Sequence, residues 1–199
     1  ETGELVWYYQ HMNRDVWDLD WAFERTVATL MIDGKPRRTV TTGGKLSIFD
    51  TLDAATGQYL FSYDTGLQNL VQSIDPKTGA KIVKPELIPT LGKLTTFCTS
   101  SLGGRDWPAT AFNAKTGILY VPHNDLCTDF TWTPGPDFDM RIKFLRRIGG
   151  DGMIGRVEAI DLANHKSLWV QRRRAPQIGS ILATAGGLIL EGGRDRWFR

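Results

Sequence analysis

One short turn recurs through this chain and limits what it can fold into. It reads DAATG at 53–57, DPKTG at 75–79 and NAKTG at 113–117, with ETG at the very start. Asp or Asn at the first position caps the turn with its side chain, and Gly at the last supplies the positive φ that a hairpin bulge requires. The strand beyond each turn is apolar or aromatic: ELVWYYQ, QYLFSYD, ILYVPHN. A fourth copy, DLANHKSLWVQ at 161–171, keeps Asp161 and the Trp169 strand without the Gly.

Helical periodicity is weak nearly everywhere, and the copies near residues 3, 57, 117 and 165 lie roughly 50 to 60 positions apart. That spacing fits four-stranded units carrying insertions, the blades of a β-propeller, although a β-sandwich uses similar strands. WAFERTVATLM at 21–31 is the local candidate for a helix, and its β-branched residues suit a strand equally well. An unclosed propeller leaves edge strands and blade faces bare. Residues 1–199 are therefore expected to form one partial all-β domain, about four blades' worth, completed by more of a longer chain or by another chain.

A hydrophobic content of 41% with 23% charged residues argues for a folded core. The net charge of +2 is too small to imply nucleic acid. The basic runs RIKFLRR (141–147), RRR (172–174) and RDRWFR (194–199) read as solvated surface, with a docking patch for an acidic protein as the alternative. No apolar stretch approaches the ~20 residues of a membrane span. There is no charged-then-apolar leader, so any export signal is expected to have been removed or to lie outside this chain. Cys98 and Cys127 match neither a CxxC nor a zinc pattern, and are either buried thiols or one disulfide. His11, His123 and His165 show no ligand or triad spacing and read as structural or surface residues.

The segment DVWDLDW at 15–21 sets Asp18 and Asp20 two positions apart. In an extended segment such residues face the same way. Two ionised carboxylates about 4 to 5 Å apart repel by roughly 3 to 4 kcal/mol at an effective dielectric near 20, a cost that a bound cation reverses. The spacing therefore points to a metal. The plainer alternative is that one of the pair caps a turn or the helix candidate that follows.

The stretches TGELVWYYQH, DVWDLDW, GGKLSIFDTLDAATG, CTSSLGGRDW, AKTGILYVPHNDLC and LATAGGLILEGGRDRWF, in this order, resemble the quinoprotein alcohol dehydrogenases. These are eight-bladed β-propellers that use pyrroloquinoline quinone (PQQ), and the resemblance covers the middle-to-late third of a family member. It implies that Trp7 and Trp169 dock one blade on the next, with Phe61 and Tyr120 as softer equivalents. It implies that Asp18 is the catalytic aspartate, taking the hydroxyl proton of the alcohol while hydride passes to the quinone, whose carbonyl a metal polarises. A second aspartate at the position of Asp20 is the hallmark of relatives that use a lanthanide, those with a small or uncharged residue there using calcium, and both ions stay open. Lys45 falls where the family sets a cation against the quinone oxygens and the catalytic aspartate. Cys98 and Cys127 match a family disulfide with the same separation, which implies the bacterial periplasm.

The resemblance has departures. Asp106 stands where the family has an Asn that hydrogen-bonds the cofactor, and Ile178 where many members have Trp. The family's upstream Glu and Asn metal ligands and its quinone-stacking Trp have no counterpart here. The expected function is a segment of a periplasmic PQQ-dependent alcohol dehydrogenase, an oxidoreductase passing electrons to a c-type cytochrome. The alternatives are a non-catalytic propeller module or an inactive remnant.

Overall fold

A computed structural model describes residues 2–133 and 139–199; Glu1, which opens the first turn copy, lies outside the described residues. The strands fall into antiparallel sheets, and no α-helix occurs among the described residues. The first sheet is a meander of β1 (Thr26–Ile32), β2 (Lys35–Gly43), β3 (Ile48–Asp53) and β4 (Tyr59–Asp64). A small hairpin of β5 (Val71–Ile74) and β6 (Lys81–Val83) follows, then a 3-10 turn at Pro85–Leu87. Strands β7 (Thr95–Cys98), β10 (Leu126–Thr133) and β11 (Asp139–Arg146) make a three-stranded sheet in the order β11-β10-β7. Strands β8 (Ala111–Asn113), β9 (Ile118–Asn124), β12 (Gly155–Asp161) and β13 (Lys166–Arg173) form the second four-stranded sheet, ordered β13-β12-β9-β8. The hairpin of β14 (Ile181–Ala183) and β15 (Ile189–Glu191) ends the chain.

Two sheets are thus complete four-stranded blades and the others are smaller, where four such blades' worth of strands is expected from the repeats. The helix candidate at 21–31 is corrected: residues 21–25 are irregular and β1 occupies 26–32. Its Ala28 and Leu30 point inward and Val27, Thr29 and Met31 outward, a period of two that only a strand can satisfy.

The turn chemistry is as the sequence implies. Asp53 Oδ1 accepts the amides of Ala55 (3.0 Å) and Thr56 (3.1 Å) and the Thr56 hydroxyl (3.0 Å). Asp75 repeats all three contacts with Lys77 and Thr78, and Asn113 repeats the two amide contacts with Lys115 and Thr116. Gly57, Gly79 and Gly117 have φ of 71°, 72° and 72°. In the fourth copy His165 occupies the glycine position with φ 51°.

Three of these turns are seats for rings from elsewhere in the chain, whereas Gly117 of the 113–117 turn faces open space. Trp7 Nε1 donates to Ala54 O at 3.1 Å, and the indole covers Gly57 so closely that a β-carbon there would fall 2.7 Å from its Cδ2. Tyr9 reaches the 75–79 turn, donating to Thr78 O at 3.0 Å. Phe61, on the outer strand of the first blade, stacks on His165 of the second, ring centroids 3.4 Å apart. Trp169, expected to dock one blade on the next, instead packs on Tyr120 of its own sheet, 6.0 Å between centroids.

Between the two blades lies one core, built from Ala28, Leu30 and Phe49 on one side and Leu119, Val121, Ile160 and Leu162 on the other. The second core joins Trp17 and Leu19 to Leu46, Ile48, Phe97 and Phe130, and so anchors the 15–21 segment. At its edge, Cys98 and Cys127 sit opposite each other in the β7–β10 register and form a disulfide. The bridge closes a sequence separation of 29 residues. Its removal in Cys98→Ser with Cys127→Ser is expected to lower unfolding free energy by about 3 to 4 kcal/mol, measured by denaturant titration against the oxidised protein.

Candidate functional site

Residues 17–20 alternate inward and outward: Trp17 and Leu19 are buried at 2% and 0% exposure, and Asp18 and Asp20 are turned out between them. The segment is nevertheless not an extended strand. Asp18 has φ 64°, a left-handed turn, so its convergence with Asp20 comes from a bend held by the core residues on either side. Asp15 does the capping, its carboxylate accepting the amides of Trp17 (3.0 Å) and Leu19 (2.7 Å). Asp18 and Asp20 are left free of that duty. Burial raises the Asp15 carboxyl above its ordinary range, opposed by those two amides and reinforced by the charges of Asp20 and Asp18.

Lys45 is the cation between the pair. Its Nζ lies 2.8 Å from Asp20 Oδ2 and 3.2 Å from Asp18 Oδ2, and it donates to Asp18 O at 3.0 Å. The lysine side chain is 9% exposed, whereas those of Asp18 and Asp20 are 44% and 53% exposed. One side of each carboxylate therefore remains open. Burial works against the Lys45 charge, but hydrogen bonds to Asp20 and Asp18 outweigh it and hold the ammonium above the ordinary lysine range.

The backbone of Lys45 is fixed on both sides. Its amide donates to Asp20 O at 3.0 Å, and its carbonyl accepts from Gly104 N at 2.8 Å and Thr99 Oγ1 at 2.6 Å. Gly44 lies under the Trp21 ring, which leaves no room for a β-carbon. Trp21 is itself stacked on His11, centroids 4.5 Å apart, and His11 Nδ1 meets the buried Asp50 at 2.8 Å. Asp50 also binds the fully buried Lys81. A cleft of about 310 Å³ beside this stack is lined by Tyr9, His11, Asp15, Asp20 and Trp21 among others.

Asp106 follows the Gly103–Gly104 loop that packs on Lys45, and its Oδ1 is buried with no hydrogen-bond partner. Burial raises its carboxyl above the usual range, with the Lys45 charge opposing. Ile178 is 54% exposed and belongs to neither core. Among the described residues no group of three or more His, Cys, Asp and Glu side chains could hold a metal ion. Asp18 and Asp20 by themselves are two carboxylates, short of such a group.

Two polar features are invisible to the sequence reading. Glu24, three residues beyond the pair's Trp21, binds Arg105, which precedes Asp106. Beneath Lys45, Ser47 Oγ faces the fully buried His123 Nδ1 at 3.3 Å, and His123 Nε2 lies 3.7 Å from Glu158, which also accepts from Tyr63 and Arg156. Only the glycine pairs 43–44 and 103–104 hint in the sequence that these loops pack closely.

Burial first, then the charges of Arg156 and Arg105, depress the His123 pKa well below 6.5. A histidine held neutral in the fold takes up its proton on unfolding, so its contribution is whole above about pH 6.5 and is lost as pH falls toward the folded value. Melting temperature is thus expected to drop on acidification from pH 7 to 5, and His123→Gln to flatten the drop. The slope removed is at most about 1.4 kcal/mol per pH unit, and thermal melts across that range measure it.

Residues 1–65 match the family described as PQQ glucose/ethanol/alcohol dehydrogenase, β-propeller domain. The dehydrogenase subunit of the quinone-linked alcohol dehydrogenase of Komagataeibacter europaeus is 30% identical over 96% of this chain and 28% of its own length. The lanthanide-dependent methanol dehydrogenase of Methylorubrum extorquens is 30% identical over 96% of this chain and 35% of its own. Among solved structures, a europium-containing methanol dehydrogenase superposes with a TM-score of 0.89 at 26% identity, covering 96% of this chain and 34% of that one. Over the 28 to 35% of these curated relatives' length that it spans, this chain is similar to the PQQ-dependent alcohol and methanol dehydrogenases.

Proposed function

We propose that this chain supplies the proton-accepting aspartate and part of the metal and quinone site of a PQQ-dependent dehydrogenase that oxidises alcohols to aldehydes or ketones. The observation that carries this is the convergence of Asp18 and Asp20 on one nearly buried ammonium while each keeps an open side.

The residues fit the absent groups. Two hard carboxylates with room on their outer side suit a multivalent oxygen-seeking cation, calcium or a lanthanide, and the second carboxylate adds the charge that favours a trivalent ion. The Lys45 ammonium is a donor placed to meet a polar cofactor, whereas the Asp106 carboxylate, an acceptor, does not replace the amide donor of the family's Asn. When bound, PQQ accepts two electrons and the cation polarises it.

Everything else belongs to the protein. Asp18 receives the hydroxyl proton of the alcohol, and its left-handed backbone fixes where that carboxylate sits. Lys45 faces that acceptor and balances negative charge gathering beside it. Asp20 shares Lys45 and contributes the second oxygen ligand. The remaining ligands come from residues beyond this set. Electron delivery to a c-type cytochrome and a periplasmic location complete the reading, the latter supported by the disulfide. No helix among the described residues is long and apolar enough to cross a membrane.

The test is dye-linked oxidation of a primary alcohol with added PQQ and either calcium or a light lanthanide. Asp18→Asn is expected to lower kcat by about 10²- to 10⁴-fold. Asp20→Ala is expected to weaken the lanthanide-supported rate more than the calcium-supported one. Wild-type turnover in Asp18→Asn would sink the proton-accepting role of Asp18, and a wild-type protein silent in this assay would favour a non-catalytic propeller module.

A further inference from the structure

The three stretches that carry the candidate site, 18–24, 43–45 and 104–106, are distant in sequence, and one side chain ties them together. Arg105 is 1% exposed. Its Nη2 donates to both carboxylate oxygens of Glu24, at 2.5 and 2.6 Å, and its Nη1 donates to Gly43 O at 2.7 Å. The guanidinium also lies over the Phe23 ring, 4.9 Å from its centroid. The backbone beside it completes the link: Gly104 N holds Lys45 O, and a β-carbon at Gly103 would fall 2.8 Å from Lys45 Cγ.

The rigid guanidinium suits this place, because one nitrogen, Nη2, spans both carboxylate oxygens while a second, Nη1, reaches a carbonyl, and the plane fixes the angle between them. Glu24 is held in turn by Thr110, whose amide (2.8 Å) and hydroxyl (2.6 Å) both donate to Oε1. Arg105 does not reach the open sides of Asp18 and Asp20, so its influence passes through the backbones it fastens.

Building on the proposed function, we infer that Arg105, locked to Glu24, is a positioning residue: it sets the placement of Lys45 and Asp106 relative to the Asp18–Asp20 pair. A shift of an ångström in such a constellation lowers turnover by up to about a hundredfold without abolishing ground-state binding.

The experiment uses the purified protein loaded with PQQ and Eu³⁺, with turnover counted per europium-loaded molecule and the Eu³⁺ luminescence lifetime read separately. Arg105→Lys keeps the charge but not the fork. It is expected to fold, to lower kcat about ten- to a hundredfold with KM for the alcohol within about twofold, and to shorten the lifetime as an extra water reaches the ion. Should Arg105→Lys fail to fold, Glu24→Gln, which keeps an acceptor but not the paired charge, decides by the same two readouts. A folded variant with wild-type kcat and lifetime overturns the proposal, and so does a loss that tracks only the unfolded fraction. Asp18→Asn run alongside separates the two ideas: if it too leaves turnover and lifetime unchanged, the site reading has failed and the positioning role falls with it. If it alone is silenced, only the positioning role fails.

Discussion

The contact on which the rest of this structure depends is an aromatic ring laid on the exposed backbone of a capped turn. A four-stranded sheet has two faces to cover and cannot cover them alone. Here each blade's C-terminal hairpin ends in a turn whose Asp satisfies the turn amides, which frees the residue at the left-handed position to receive a ring from another part of the chain. Trp7 on Gly57 and Phe61 on His165 are two instances. The cores behind those rings then set the distance between sheets, and loops emerging from neighbouring sheets meet at a fixed place.

The candidate site is a product of that meeting. Three acids, Asp15, Asp18 and Asp20, share one short loop, an arrangement that repulsion alone would spread apart. The fold divides their labour. Asp15 is spent on backbone amides, while Asp18 and Asp20 share Lys45, whose own charge is kept despite burial because both face it. What remains on the open side is excess negative charge facing outward, the condition under which a cation is recruited. The same economy governs the lower layer, where Lys81, His11 and Ser62 all meet the single buried Asp50.

How much of this could be read from the chain follows the range of each interaction. The turns were legible because Asp53, Asp75 and Asn113 act on amides two and three residues away, inside the window where sequence speaks directly. The clustering of Asp18 with Asp20 was legible for a partly wrong reason: alternation places them together, but in a left-handed bend and not an extended strand. At 21–31 the sequence left helix and strand open, and burial on one side of a sheet decides for the strand that the β-branched residues suit. Arg105 and Glu24, 81 positions apart, and His123 beside Ser47, 76 apart, are not legible as pairs, since buried polar partners obey no spacing rule. The family resemblance carried the placement of Lys45 and the pairing of the cysteines, which composition alone left undecided.

His165 repays a closer look. A side chain in a seat otherwise made for glycine turns a bare backbone platform into a ring, and the visitor shrinks from the indole of Trp7 to the phenyl of Phe61. Host and guest have exchanged bulk. Positions 61 and 165 are therefore sterically coupled: a larger guest overfills the seat, and a glycine beneath Phe61 leaves a gap, so each residue constrains which substitutions its partner can accept.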